Sequence, residues 1–472
     1  MSRLALAFCA AMLHACCLAG ANTSYRLESI TVPEDVRLEV GGMAFWPDGR
    51  LVMCTRRGDV WTMKDNQWKR YAWGLHEPLG LHAGANGEIW VIQRPELTHI
   101  QDTDGDGVAD VFKNVCDAWG TAGDYHEFCY GPVVDREGNF WGTLNLANRG
   151  DPISKCEMGS TAPYRGWSFK ITPKGEFIPV SSGLRSPNGV GMNLDGDIFC
   201  TENQGGWVGT SWLHHLSPGA FHGHPGGLRW DKTIKDLDKM TVADFDKLRK
   251  RPAICFPQGI VSSSPTEPRW DTTGGKFGPF AGQAICGDMA SGKICRIALE
   301  KVGGEYQGAC FPFWTGGGLG QGANRFAWAP DGTSVYIGLT SRGWGNGDGL
   351  KRLVYTGEVP MEILTMTLTK NGFDLTFTQP IDPSTADKPE AYSMQHYYYH
   401  YHAQYGSPQV DNTPVKIQEV KVSEDKKRVS LIVGELVPLR IYELQLKDVK
   451  GAGGKPLQNA SAYYTLNRRI QN

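Results

Sequence analysis

The run Met43-Ala44-Phe45-Trp46-Pro47-Asp48-Gly49-Arg50-Leu51-Val52-Met53 decides the fold: two β-rich segments joined by an Asp-Gly pair. An acidic residue or Asn followed by Gly between apolar runs is a hairpin signature, because Gly supplies the positive φ of a tight turn. The same unit returns at Leu79 to Val91 around Asn86-Gly87, at Glu137-Gly138-Asn139-Phe140-Trp141, at Asp195-Gly196-Asp197-Ile198-Phe199, and at Phe326 to Gly332 around Asp331-Gly332. The turn-to-turn steps are 38, 51 and 58 residues, then 136. The last step is wide enough for a further unit, best placed at Gly282 to Asp288 followed by Gly292 to Ile297. Six all-β repeats without helical periodicity between them predict a six-bladed β-propeller, in which radial repetition protects the sheet edges. Two β-sandwiches would give similar hairpins, but with more even strand spacing.

The rest of the chain fits around that core. Helix is expected only within Lys232 to Arg251, where Ile234, Leu237, Met240, Phe245 and Leu248 recur at roughly helical spacing. After Gly357 alternating strands such as Phe373-Asp374-Leu375-Thr376-Phe377 and Val429-Ser430-Leu431-Ile432-Val433 predict a small Ig-like β-sandwich. The expected organisation is therefore a signal peptide over 1–21, a propeller over 22–357 and the sandwich over 358–472. Within the last, His396, His400 and His402 share one face at period two, and aromatic packing against the propeller is favoured there over a metal site.

The start, Met1-Ser2-Arg3, then an apolar run to Ala19 and Ala19-Gly20-Ala21, reads as an export signal cut after Ala21. The run is short for a membrane span. A lipoprotein site at Cys16 is an alternative, and the expected location is periplasmic or extracellular. Cleavage would leave nine of the 12 cysteines, an odd number, so at least one thiol stays free. No Cys-x-x-Cys-His motif occurs, so the chain carries no covalent c-type haem of its own. With 48 Lys and Arg against 50 Asp and Glu, the charge gives no reason to expect nucleic acid as a partner. Glycine is in excess, 59 of 472 residues, which signals many tight turns.

Three clusters carry candidate chemistry. In Asp102-Thr103-Asp104-Gly105-Asp106-Gly107-Val108-Ala109-Asp110, the carboxylates of Asp102, Asp104, Asp106 and Asp110 could converge on calcium. The twelfth position is Lys113 rather than Glu, so the loop is not an EF-hand, and an acidic solvated turn is the plain alternative. In Gly123-Asp124-Tyr125-His126-Glu127-Phe128, His126 is a candidate general base, with a flanking carboxylate to fix its imidazole. Arg185 in Gly183 to Gly189 offers a fork for an anion, and Gly205-Gly206 exposes carbonyls that could meet a cation or cofactor.

His126 ahead of a strand, Leu184-Arg185-Ser186-Pro187-Asn188-Gly189 and Glu202-Asn203-Gln204-Gly205-Gly206 resemble, in the same order, the motifs of the soluble quinoprotein glucose/sorbosone dehydrogenases. More closely, about Gly42 to Gly357 resembles membrane-bound dehydrogenase domains often fused to c-type haem modules. Gln93-Arg94-Pro95-Glu96-Leu97, Asp124 to Phe128 and Gly205 to Thr210 carry that likeness. The resemblance implies a six-bladed propeller that holds pyrroloquinoline quinone and calcium and oxidises a small carbohydrate or polyol, passing electrons to a separate c-type cytochrome. It implies His126 as the base and Arg185 beside the cofactor. Gln204, Gly205 and Gly206 would be cofactor-binding, the glycine carbonyls holding catalytic calcium, with Arg325 as a second cofactor contact. Two departures stand out: Ser186 follows the arginine where that family has Asn, and the glycine pair lacks the usual proline. The alternatives are a non-catalytic glycan- or protein-binding propeller, with Trp207, Trp212, Trp230 and Trp344 as stacking platforms, and a calcium-dependent lactonase with carboxylates at the central channel.

Overall fold

Six four-stranded antiparallel sheets stand around one axis in the computed structural model, which describes residues 23–150, 158–342 and 344–471. The expected signal peptide and Cys156 lie outside the described residues. The innermost strands are Val40–Phe45, Gly80–Ala83, Cys129–Val134, Pro187–Met192, Pro265–Trp270 and Ala323–Trp328, for blades 1 to 6 in that order. Each touches the next, and the sixth touches the first, so the ring is closed. The chain is a six-bladed β-propeller. Closure is completed by Tyr25–Ile30, which pairs antiparallel with Leu350–Tyr355 as the outer strand of blade 6, so the two ends of the propeller are held in one sheet. The sequence did not point to that strand.

Glycine lets the ring close. A Cβ on Gly80 would lie 1.5 Å from the Gly131 carbonyl oxygen of the next inner strand, so no larger residue fits there without moving backbone. The glycine excess is thus spread between hairpin turns and the crowded axis.

Every Asp-Gly, Asn-Gly or Glu-Gly turn seen in the sequence joins an inner strand to the second strand of its blade. Because strands alternate in direction, these turns all lie at one end of the barrel of blades, the lower face. The links from second to third strand, and from each outer strand to the next blade, lie at the upper face. Blade 5 hid its turn signal because 271–283, a long loop, replaces it between Pro265–Trp270 and Ala284–Asp288.

Two expectations change in detail. The stretch 232–251 forms only a 3-10 turn at Leu237–Lys239 and a helix at Val242–Leu248, started by a capping box between Thr241 and Asp244. Only Phe245 of that helix is buried. The C-terminal strands form two sheets around a shared core that includes Phe373, Leu431, Tyr442 and Tyr464. One of those sheets is not free-standing: Ser461–Leu466 pairs with Glu305–Trp314, the outer strand of blade 5, making one eight-stranded sheet. That pairing covers a strand edge that would otherwise be open.

The end of the strand Tyr392–Tyr399 and the segment after it lie on the propeller. Tyr397 shares a core with blade 4 and 5 residues such as Phe256 and Cys310, and Tyr401 packs on Trp207. His396 turns inward onto Tyr442, whereas His400 and His402 lie beyond the strand, their rings 6.0 Å apart. The eight described cysteines are all unpaired. Among the described residues no helix is long and apolar enough to cross a membrane.

Candidate functional site

A cavity of about 400 Å³ opens at the upper face, built by the loops that alternation of strand direction sends there. Tyr125 and His126 come from the blade 2 to 3 link, Arg185 and Ser186 from the blade 3 to 4 link, Asn203 and Gln204 from blade 4, and Trp344 from blade 6. Tyr405 comes from the C-terminal unit.

His126 is 7% exposed and held by two contacts. Its Nδ1 lies 2.8 Å from the Leu146 carbonyl oxygen, which can only accept, so Nδ1 carries the proton. Nε2 is then a bare acceptor, 3.1 Å from the Ser186 hydroxyl. Burial pushes the imidazole down to about 4, the Leu146 carbonyl only partly opposing, and Arg185 adds to the depression. The group is therefore a neutral base at physiological pH.

The sequence led us to expect a flanking acid to orient the imidazole, and neither acid does so. Asp124 accepts from the backbone amides of His126 (2.9 Å) and Asn148 (3.0 Å), and Glu127 accepts from Ala122 N (2.6 Å) and the Ser160 hydroxyl (2.7 Å). They shape the loop, and a main-chain carbonyl sets the ring. Below the pair, the fully buried Glu202 takes Ser186 N at 2.6 Å and Arg185 N at 3.0 Å, fixing the turn that presents both side chains. Burial raises its carboxyl to about 7 against the pull of those two amides and Arg185.

The Arg185 guanidinium lies against Gly205, where a Cβ would come within 2.0 Å of it, and 5.3 Å from the Tyr405 ring. Among the described residues its one hydrogen bond runs from Nη1 to the Gln204 carbonyl at 3.1 Å, and the Nε–H is buried without an acceptor. The C-terminal unit seals this corner: Gly406 N donates to Gly205 O (3.0 Å) and Trp207 N to His402 O (2.9 Å). Three aromatic rings line the mouth, Tyr125 at 59% exposure, Trp344 at 41% and Tyr405 at 64%. Of the tryptophans considered as platforms, Trp207 and Trp212 are buried and only Trp344 reaches the cavity.

The structure thus brings His126, Arg185 and Gln204 together, with Gly205 behind the arginine, and leaves other predicted positions elsewhere. Arg325 sits in the central channel, in a second cavity lined by the inner strands. Its guanidinium donates to the carbonyls of Gly41 (2.8 Å) and Leu79 (3.1 Å) and to the Asn324 side chain (2.8 Å), tying blades 6, 1 and 2. Asp102, Asp104 and Asp106 form the only group of three or more metal-compatible side chains among the described residues. They sit on the lower face, between the third and fourth strands of blade 2. Asp110 does not join them; it binds the amide (2.9 Å) and hydroxyl (2.5 Å) of Thr103.

These positions decide how the implied groups fit. A planar ortho-quinone bearing carboxylates suits the upper cavity: Arg185 offers an unanswered donor, His126 is neutral, and there is room for the ring. Of the glycine pair that would hold calcium, the Gly205 carbonyl is already engaged, accepting from Val208 N (3.1 Å) and Gly406 N (3.0 Å). A lactonase ion fares no better. Glu202 faces amides, and Asp288 accepts from the Ser262 hydroxyl (2.6 Å) and from Ser264 N (3.0 Å), Ala290 N (2.8 Å) and Ser291 N (2.7 Å).

Ser186, Asn203, Tyr405 and the Asn148 loop were not picked out as site residues from sequence. Ser186 was visible only as a departure from the resembled motif.

Residues 65–219 match a family described as a domain of unknown function, DUF7133. No curated protein matches the chain. Among solved structures, the chain is similar to a family AA12 carbohydrate-active enzyme of Trichoderma reesei, with 14% identity over 71% of this chain and 96% of that one and a TM-score of 0.54. It is also similar to an oxidoreductase described as a glucose dehydrogenase from Thermus thermophilus, with 18% identity over 70% and 100% and a TM-score of 0.50. A third is the PQQ domain of pyranose dehydrogenase from Coprinopsis cinerea, with 12% identity over 70% and 96% and a TM-score of 0.50. The chain has the fold of the quinoprotein sugar dehydrogenase propellers.

Proposed function

We propose that the upper cavity oxidises a hydroxyl of a small sugar or polyol, in a quinoprotein-type dehydrogenase that would act outside the cytoplasm and pass electrons to a separate carrier. The observation that carries this reading is the neutral His126 with Nε2 turned to Ser186 inside a cavity rimmed by three exposed aromatic rings.

The rings of Tyr125, Trp344 and Tyr405 would hold the apolar C–H face of a sugar ring, while Asn148, Asn203 and Gln204 meet its hydroxyls. The reacting hydroxyl would give its proton to Ser186 Oγ as Ser186 gives its own to His126 Nε2. The Leu146 carbonyl holds Nδ1–H through the transfer, so the imidazolium forms without turning. Arg185 would anchor a carboxylate of the quinone, the planar acceptor that takes the hydride from the substrate carbon when bound. Glu202 keeps Arg185 and Ser186 in register by holding their amides.

Purified protein supplemented with pyrroloquinoline quinone and offered aldoses and polyols with an electron-accepting dye tests this. Substrate-dependent bleaching that His126→Gln abolishes is the expected result. Sugar binding without bleaching at any quinone concentration would replace the enzyme with a glycan-binding propeller.

A further inference from the structure

A third cavity, of about 520 Å³, lies at the seam between blade 4, the helix Val242–Leu248 and the C-terminal unit. It shares no lining residue with the upper cavity. Its wall is largely apolar and aromatic, with Trp212, Tyr399, Tyr401, Leu439 and Ile441 facing a space into which three guanidiniums also reach.

Arg249 is the central one. Its side chain is 10% exposed and lies 4.3 Å from the Tyr401 ring and 5.8 Å from the Trp212 ring. Its Nε donates to Asp246 at 2.6 Å, and among the described residues neither Nη group has a hydrogen-bond acceptor. Arg251 spends both Nη groups on the same Asp246, at 3.0 and 3.2 Å. Arg440 pairs through Nη2 with Asp411 at 2.7 Å, and its Nη1 is buried without a partner. Three guanidiniums therefore face two carboxylates, leaving one positive charge in a largely apolar enclosure. Burial and the neighbouring Arg251 both work against the charge of Arg249. A buried cation with unanswered donors is costly unless an anion meets it.

We propose that this cavity binds a monoanionic carboxylate carried on an apolar or aromatic body, with the carboxylate between Arg249 and Arg440 and the body against the Tyr399, Tyr401 and Trp212 rings. Guanidinium matches carboxylate in a bidentate way, and the residual charge of one selects a monoanion. Because the wall comes from both units, such a ligand would also tie the C-terminal unit to the propeller.

Naphthalene-2-carboxylate is a suitable probe, followed by calorimetry and by quenching of tryptophan emission. Saturable one-to-one binding is expected, weakened at least tenfold in its uncharged analogue naphthalene-2-carboxamide and at least tenfold in Arg440→Gln. His126→Gln should leave it unchanged, which separates this site from the proposed sugar site. Arg249→Met should abolish it, and Arg440→Gln, on a residue nearer the surface, keeps the test decisive if Arg249→Met does not fold. No saturable binding, equal affinity for the carboxamide, or retained affinity in a folded Arg440→Gln protein would overturn the proposal. Loss of binding in His126→Gln would overturn it too, by moving the probe to the upper cavity.

Discussion

Ser186 Oγ lies 3.1 Å from His126 Nε2, across the gap between the links that enter blades 3 and 4. The pair joins two loops 60 residues apart and sits where a ligand in the upper cavity would meet its first base. His126→Gln should lower kcat for sugar oxidation by about 10²- to 10⁴-fold. KM should change little, because the ring-stacking rim is untouched; steady-state kinetics of the two proteins check this.

The acid side of the pH profile follows from the same burial. The base must be neutral, so activity should rise with pH through about 4 and stay level above it, rather than rising near the ordinary histidine value of 6.5. Stability carries the same signature. Between about 4 and 6.5 the unfolded chain binds a proton at this histidine that the folded chain refuses, so His126 makes stability increase with pH across that window. The difference is on the order of 3 kcal/mol. Glu202, raised to about 7, works the other way, making stability fall as pH climbs from its ordinary value of 4.5. Melts of wild type and His126→Gln at pH 4.5 and 6.5 isolate the histidine part: the wild type should gain on the variant as pH rises.

Tyr405→Ala tests the part the C-terminal unit plays. The ring meets Arg185 and borders the cavity, so its loss should raise KM about 2- to 10-fold with a smaller effect on kcat. An unchanged KM would make the C-terminal unit a bystander.

Gly80→Ala should lower stability by about 2 kcal/mol or more, since the new methyl would overlap the Gly131 carbonyl and force two inner strands apart. Urea unfolding checks it. A turn glycine such as Gly49, where a Cβ meets nothing within 4 Å, should cost less.

Chelation gives a spatial test. The Asp102, Asp104 and Asp106 loop lies on the face opposite the upper cavity, and the Gly205 carbonyl is already bonded. Removing calcium should therefore leave sugar binding unchanged, and any loss of melting temperature should disappear in Asp102→Ala.

How far the residues announced this structure depends on the range of the interactions involved. Blade hairpins are local, so Asp48-Gly49 and its counterparts marked five blades directly, and only the 271–283 loop masked a sixth. Tyr25–Ile30 and Ser461–Leu466 join sheets through partners more than 150 residues away, and nothing in their own sequence names those partners. The site divides likewise. His126 and Arg185 stood in recognisable motifs, but Arg325 and the Asp loop could be separated from them only once strand direction assigned each loop to a face. Tyr405 reached the cavity through tertiary packing alone.

The most direct test of the central claim is a crystal structure of the protein with an oxidisable aldose bound. We expect the sugar ring on the Trp344 and Tyr405 faces, with a hydroxyl about 2.6–3.2 Å from Ser186 Oγ or His126 Nε2. A sugar bound away from the upper cavity, or in it with His126 and Ser186 out of hydrogen-bond reach, would contradict the account.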